Sequence, residues 1–223
     1  MEQAARPPFW KMAMAPGLLM QQRAVHAHIL TARHGVPLMV ARGAGLVVEV
    51  TDGVGYGYRG EVFYSLAKVS AVHLAEAMAA DLAGTGVAAV AVTPGFLRSE
   101  AMLDGFGVTE ASWRDAVAAH PDFAASETPY FVGRAIAALA ADPAVLAKTG
   151  RTLSSWGLAP EYGIVDADGR RPDWGAFFAV WQRALDEVQR THGISEGDAR
   201  ARIARGEGPA YLTTAMESAQ ARP

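Results

Sequence analysis

The chain contains no cysteine. That absence excludes a disulfide framework and any zinc–thiolate centre, and it makes cytoplasmic residence the expected one. Strong charge of one sign is missing as well: the formal net charge is -3, and the arginines are spread along the chain without a basic cluster. A nucleic-acid partner is not expected from such a pattern. No apolar run approaches the roughly 18 residues that a membrane-spanning helix needs. The opening residues, MEQAARPPFW, are too polar and too rich in proline for a secretion signal. What remains is a chain of 223 residues, 51% of them hydrophobic and only 19% charged. That composition implies a globular protein with one substantial core.

The order of elements narrows the class. After a loose start, residues 18–43 have helical spacing, with Leu18, Val25, Ile29 and Ala32 near one face and a kink or restart expected at Pro37. GLVVEV is a β-branched run bounded by glycines, the pattern of a buried strand, and it leads into the turn TDGVGYGYRG. A helix is expected from about Val62 to Ala83, then a second buried strand, VAAVAV, ending at Thr93, Pro94 and Gly95. Strand, helix and strand of these lengths read as a parallel crossover unit. Residues 100–127 lack a clean period and read as a lid or substrate loop, in which TEASWRDAVAA could form a short helix. Thr128 and Pro129 suit the start of a helix to about Ala141. A third strand is expected in GRTLSSW, and one or two amphipathic helices in a tail from about Ala159. The expected division is a domain over 1–158 and an extension over 159–223. The helix after the turn is apolar nearly all round, which calls for a second apolar neighbour, a partner subunit being one source of it.

Within YSLAK, Tyr64 and Lys68 stand one helical turn apart and share a face. A tyrosine hydroxyl ordinarily titrates near pH 10, so proton exchange at neutral pH requires a neighbour that favours phenolate, and a lysine ammonium is such a neighbour. The turn before the helix supplies a polar side chain to meet a substrate oxygen. By itself a Tyr-x-x-x-Lys pair is a weak signal; its flanking strand, glycine turn, apolar helix and second strand ending in TPGFLRS strengthen it. His26, His28 and His34 do not make a metal site, since His26 and His28 point to different faces and no carboxylate accompanies them in the sequence. His73 and Glu76 read as a helix-surface pair. Phe96, Met102, Phe106 and Trp113 read as the apolar wall of a pocket, and Trp174, Phe177, Phe178 and Trp181 as packing residues.

Over roughly residues 18–157 the sequence resembles the short-chain dehydrogenase/reductase family, on the pair Tyr64 and Lys68 in this context and on the loop TPGFLRS. The resemblance implies an α/β fold, a Rossmann-like parallel sheet with helices on both faces, here its C-terminal portion only plus a short helical tail. It implies interconversion of an alcohol and a carbonyl with NAD or NADP, Tyr64 acting as acid/base and Lys68 assisting it and holding the ribose. It also places Pro94, Gly95, Phe96 and Ser99 against the nicotinamide, with Ser99 where the family usually has threonine. A homodimer or homotetramer and a small-molecule alcohol or carbonyl substrate are the implied partners.

Departures from the family are equally legible. Its substrate-orienting serine falls in VTDG, at Thr51 by counting thirteen residues back from Tyr64, or at Asp52 by strand register. Thr51 keeps a hydroxyl donor, whereas an ionised Asp52 would repel a developing oxyanion. The family's helix asparagine falls at Ala24, beside Arg23. No Thr-Gly-x-x-x-Gly-x-Gly turn precedes Tyr64, and DGVGYGYRG follows the wrong strand to replace it. Without the family's first strands, GLVVEV is left as an apolar edge, which a lone subunit should not tolerate. The expectation is therefore a truncated chain or, alternatively, a non-catalytic Rossmann-like remnant acting through subunit association.

Overall fold

A computed structural model describes residues 7–58 and 60–221. The opening six residues and Arg59 of the glycine turn lie outside them. In chain order the main elements are α1 (Met14–Gln21), α2 (Ala27–Arg42), β1 (Gly45–Val50), α3 (Val62–Asp81), β2 (Val87–Thr93), α4 (Glu100–Phe106), α5 (Pro129–Ala141), β3 (Thr152–Ser154), α6 (Ser155–Tyr162), α7 (Trp174–His192), α8 (Glu196–Ala204) and α9 (Ala210–Gln220). The chain divides into two compact units, 1–93 with 136–154, and 94–135 with 155–223. The boundary expected after residue 158 falls inside α6.

The first unit is built on a parallel sheet in the order β1-β2-β3, a Rossmann-like α/β arrangement. Gly45 pairs with Val87 and Val50 with Val92, while Ala91 to Thr93 pair with Thr152 to Ser154. All seven residues of β2 are buried. A strand covered on both faces needs apolar residues at every position rather than alternation, which is what VAAVAV supplies. The third strand is shorter than GRTLSSW suggested, because helix α6 begins at Ser155.

Helix α3 crosses from β1 to β2 and buries Ala67, Ala71, Val72 and Ala75. Its second apolar neighbour lies in the same chain: the Phe63 ring covers Gly17 of α1 so closely that a Cβ there would stand 2.1 Å from it. Helix α2 lays Val36 and Met39 on a cluster formed by Val47, Leu82, Val87 and Ala89. Pro37 does not restart it, since α2 is continuous from Ala27 to Arg42. The irregularity sits upstream, in a π turn over Gln22–His26 that contains Ala24. A carboxylate does meet the histidines: Glu49 of β1, buried, pairs with Nδ1 of His28. Among the described residues no group of acidic or histidine side chains is arranged to hold a metal, and no helix is long and apolar enough to cross a membrane.

The second unit has its own core. Trp113, Phe123, Phe177, Trp181, Leu185, Ile203 and Leu212 are buried together. Helix α7 delivers Phe177, Trp181, Ala184, Leu185 and Val188 at i, i+4, i+7, i+8 and i+11, one face of a 3.6-residue period. The expectation of a lid over residues 100–127 is corrected here. Trp113, Ala116, Val117 and Phe123 are core, carried on short 3-10 turns whose spacing has no α-helical period, and Ala124 and Ala125 just after them are core as well. The tail likewise holds more helix than expected, with α9 following the anticipated pair α7 and α8.

A buried charge network ties this unit together. The Arg98 guanidinium, with no exposure, bonds to Glu110, Asp168 and the Ser126 carbonyl. Arg170 reaches Asp168 and the same carbonyl. Both guanidiniums also lie over Trp113, at 4.5 and 4.7 Å from its ring centre. Burial pushes the Asp168 carboxyl up, but the hydrogen bonds and charge of Arg170 outweigh that and hold it below its usual value. Thr128 bonds through its amide and hydroxyl to the buried Asp166, which fixes the start of α5.

The entry to β2 makes a backbone-level prediction. Gly86 has a φ of 80°, and a Cβ on it would lie 2.1 Å from the Gly43 carbonyl oxygen. Gly84 has a similar φ of 78° with nothing nearby. Gly84→Ala should cost about 1 kcal/mol from backbone strain alone, and Gly86→Ala about 2–4 kcal/mol because backbone must also move. Urea unfolding of both variants checks the contrast.

Candidate active site

The proton-bearing pair is set by the way α3 begins. Glu61 is its N-cap, and the carboxylate accepts from the amides of Phe63 at 2.9 Å and Tyr64 at 2.6 Å. A carboxylate there satisfies amides that have no partner inside the helix and complements its dipole. Tyr64 is thereby fixed in the first turn, and Lys68 follows one turn later, both half-buried. The Lys68 ammonium lies 5.5 Å from the Tyr64 ring centre.

The end of β1 meets this face. Thr51 continues the ladder by donating its amide to Val92, and its buried hydroxyl donates to the Lys68 carbonyl at 2.7 Å. That hydroxyl joins the strand to the helix. Asp52, the next residue, is exposed, and its Oδ2 accepts the Tyr64 phenol proton at 2.9 Å. Of the two positions considered for the substrate-orienting group, Asp52 is the one beside the phenol. Gly53 donates its amide to the Thr93 hydroxyl at 2.8 Å, which closes the turn onto the end of β2. Tyr56 bonds instead to Glu76, farther along α3. Glu76 also faces His73 at 3.5 Å.

Pro94, Gly95, Phe96 and Ser99 belong to the second unit. Ser99 caps α4, its hydroxyl accepting from the Met102 amide. Phe96 packs edge-on against Phe123 and Trp174. Phe106 stacks on His120 at 3.9 Å. Gly95 is pressed between Trp174 and Glu127 so tightly that a Cβ would lie 2.6 Å from the Trp174 Cβ.

Sequence reasoning passed over Glu127, the most unusual ionisable group in this unit. It is fully buried. Its Oε2 accepts from the Gly95 amide at 2.9 Å and the Ser155 hydroxyl at 2.7 Å, while Oε1 has no hydrogen-bond partner among the described residues. Burial raises the carboxyl from an ordinary 4.5 to about 7; the bonds from Ser155 and Gly95 oppose that rise, nearby Asp166 adds to it and Arg98 counters it. No local pattern marks such a residue, because its partners lie 28 and 32 positions away.

Comparison with known proteins bears on both units. A family model described as short chain dehydrogenase matches residues 19–105. The mouse protein named Dehydrogenase/reductase SDR family member 1 is 33% identical over 164 residues, covering 73% of this chain and 52% of that protein. The human protein of the same name is 31% identical over 147 residues, covering 66% and 47%. The chain thus spans about half the length of the curated relatives it matches. In fold it is similar to a gluconate 5-dehydrogenase from Burkholderia cenocepacia in complex with NADP and tartrate, with a TM-score of 0.52 and 19% identity over 67% of this chain and 58% of that one.

Glu127 generates a pH prediction. The folded protein binds its proton more tightly than the unfolded chain, so this stabilising contribution is complete below about pH 4.5 and is lost as pH rises through about 7. The full swing is on the order of 3 kcal/mol. Urea midpoints measured from pH 5 to pH 8 should decline, and Glu127→Gln should remove that share of the decline.

Proposed function

The chain belongs to the short-chain dehydrogenase/reductase family, and from that premise we propose that it is an NAD(P)-dependent oxidoreductase interconverting an alcohol and a carbonyl. The observation that supports this reading most is the cluster of Tyr64, Asp52 and Lys68, in which one phenol is hydrogen-bonded at 2.9 Å and attended by an ammonium 5.5 Å from its ring centre. Tyr64 is the group that gives its proton to a substrate oxygen or takes one from it. Lys68 stabilises the negative charge that develops on the phenol oxygen as the proton leaves. Asp52 holds the phenol proton between turnovers and hands Tyr64 over to the substrate when one binds.

The nicotinamide group supplies the hydride acceptor or donor when bound. Residues of this chain fit its ribose end, since Lys68 and Tyr64 present an ammonium and a hydroxyl from one face of α3. Among the described residues none supplies its diphosphate end. That group calls for a glycine-rich turn whose helix N-terminus is open to an anion. The glycine-dense turn here leads into α3, and the first amides of α3 are already taken by Glu61. Association into a homodimer or homotetramer belongs to the same proposal, supported by the exposed apolar residues Leu18, Leu30, Leu38 and Val40 on α1 and α2. Those side chains equally favour the second reading, a non-catalytic member that works by subunit association.

Binding of cofactor separates the two readings. NADH or NADPH should raise the melting temperature and quench tryptophan fluorescence; failure of both nucleotides to do either overturns the enzyme reading. Given binding, Tyr64→Phe should lower carbonyl reduction by about 10²–10⁴-fold while leaving nucleotide affinity within a few-fold. Lys68→Met should lower turnover and alter its alkaline pH profile, and an unaltered profile would remove Lys68 from the mechanism.

A further inference from the structure

We propose that Glu127 is the positioning residue of the loop from Pro94 to Arg98, holding it from within the second unit in the one conformation that it offers to a nicotinamide group. The proposal rests on the cofactor reading above. Its geometry stands independently of that reading.

Glu127 grips the loop with both backbone and side chain. Its amide donates to the Phe96 carbonyl at 2.9 Å, and its carbonyl accepts from the Arg98 amide at 2.8 Å. Those two bonds make a parallel bridge between Leu97 and Glu127. Between them the side chain turns back to Gly95, where Oε2 accepts the amide proton. The bonds thus alternate along Gly95, Phe96 and Arg98, all from one residue. Ser155, the first residue of α6, donates to the same Oε2 and orients the carboxyl group. Gly95 is required at its position because a Cβ would also lie 2.9 Å from that oxygen.

A carboxyl group is an expensive choice for a purely structural tie. A fully buried carboxyl with one oxygen unpaired is disfavoured when ionised. An apolar side chain would fill the space at lower cost, and an amide would make the same two acceptor bonds through one oxygen. What a carboxyl and an amide share, and an apolar side chain lacks, is one oxygen that accepts from the Gly95 amide and the Ser155 hydroxyl together. Loss of this acceptor leaves a loop amide without its partner, and the loop then samples other conformations.

The experiment uses the full chain and three variants, Glu127→Ala, Glu127→Gln and Ser155→Ala. Hydrogen–deuterium exchange of a peptide covering residues 94–99 reads the tie itself. Exchange there should be about ten-fold faster in Glu127→Ala and within about three-fold of wild type in Glu127→Gln, as loss of one hydrogen bond predicts. Peptides from α3, which serve as internal controls, should stay unchanged in every variant. Titration with NADPH and NADH, followed by nucleotide fluorescence, reads the consequence. Glu127→Ala should weaken binding about ten-fold, Glu127→Gln should restore it to near the wild-type value, and Ser155→Ala should fall between them. In turnover the same loss should appear in KM for the nucleotide, with kcat within about three-fold.

Unchanged exchange at residues 94–99 in Glu127→Ala overturns the proposal. So does faster exchange without any change in nucleotide binding by a protein whose wild type binds. Wild-type protein that binds neither nucleotide overturns the cofactor reading instead, and the exchange data then decide Glu127's hold on the loop by themselves. If Glu127→Ala does not fold, Ser155→Ala against Glu127→Gln carries the comparison.

Discussion

A strand buried on both faces leaves its backbone no alternative to the ladder, and β2 is such a strand. Water cannot satisfy its amides and carbonyls, so they bond to β1, to β3 or to residues flanking the strands, as the Ala89 amide does with the Thr149 hydroxyl. Register follows directly: Val50 opposite Val92 brings the ends of β1 and β2 to one level. Thr51 and Thr93 then close that level with hydroxyl bonds, one to α3 and the other to the turn. The Tyr64 phenol meets Asp52 because these earlier constraints leave the turn little freedom.

The position of Asp52 shifts the chemical emphasis of the cluster. A serine hydroxyl would donate to a substrate oxygen, whereas a carboxylate accepts from the phenol. The hydroxyl that survives, that of Thr51, is buried and engaged with the Lys68 carbonyl. The phenol hydrogen bond at this site therefore ends on a carboxylate, with an ammonium 5.5 Å from the ring centre. The His28–Glu49 pair, on the preceding strand, is a second meeting of imidazole and carboxylate that joins α2 to β1.

Local periodicity explains what the sequence revealed. Tyr64 and Lys68 were legible because helical spacing alone puts them on one face, and β1 and β2 because unbroken β-branched or small apolar runs between glycines have few other readings. In residues 100–127 only a short helix in TEASWRDAVAA was legible, and the burial of its side chains was opaque for the opposite reason. Their core side chains ride on 3-10 turns, where neither the helical nor the strand period applies. Glu127, Arg98 and Asp166 owe their roles to partners distant in the chain, and no window of sequence contains both ends of such a bond. Pro37 starts no new helix, for α2 runs on through it and the π turn lies upstream. Helix α9 escaped notice because only Leu212 of its inner face is fully buried, while Tyr211, Ala215, Met216 and Ala219 pack on the core only in part.

The chain passes between its two units three times, after residues 93, 135 and 154. No single peptide bond can therefore be cut to release either unit whole. A split at any one crossing strands part of one unit on the other's fragment, and helix α5 is shared across the middle one. Neither unit corresponds to one contiguous stretch of gene.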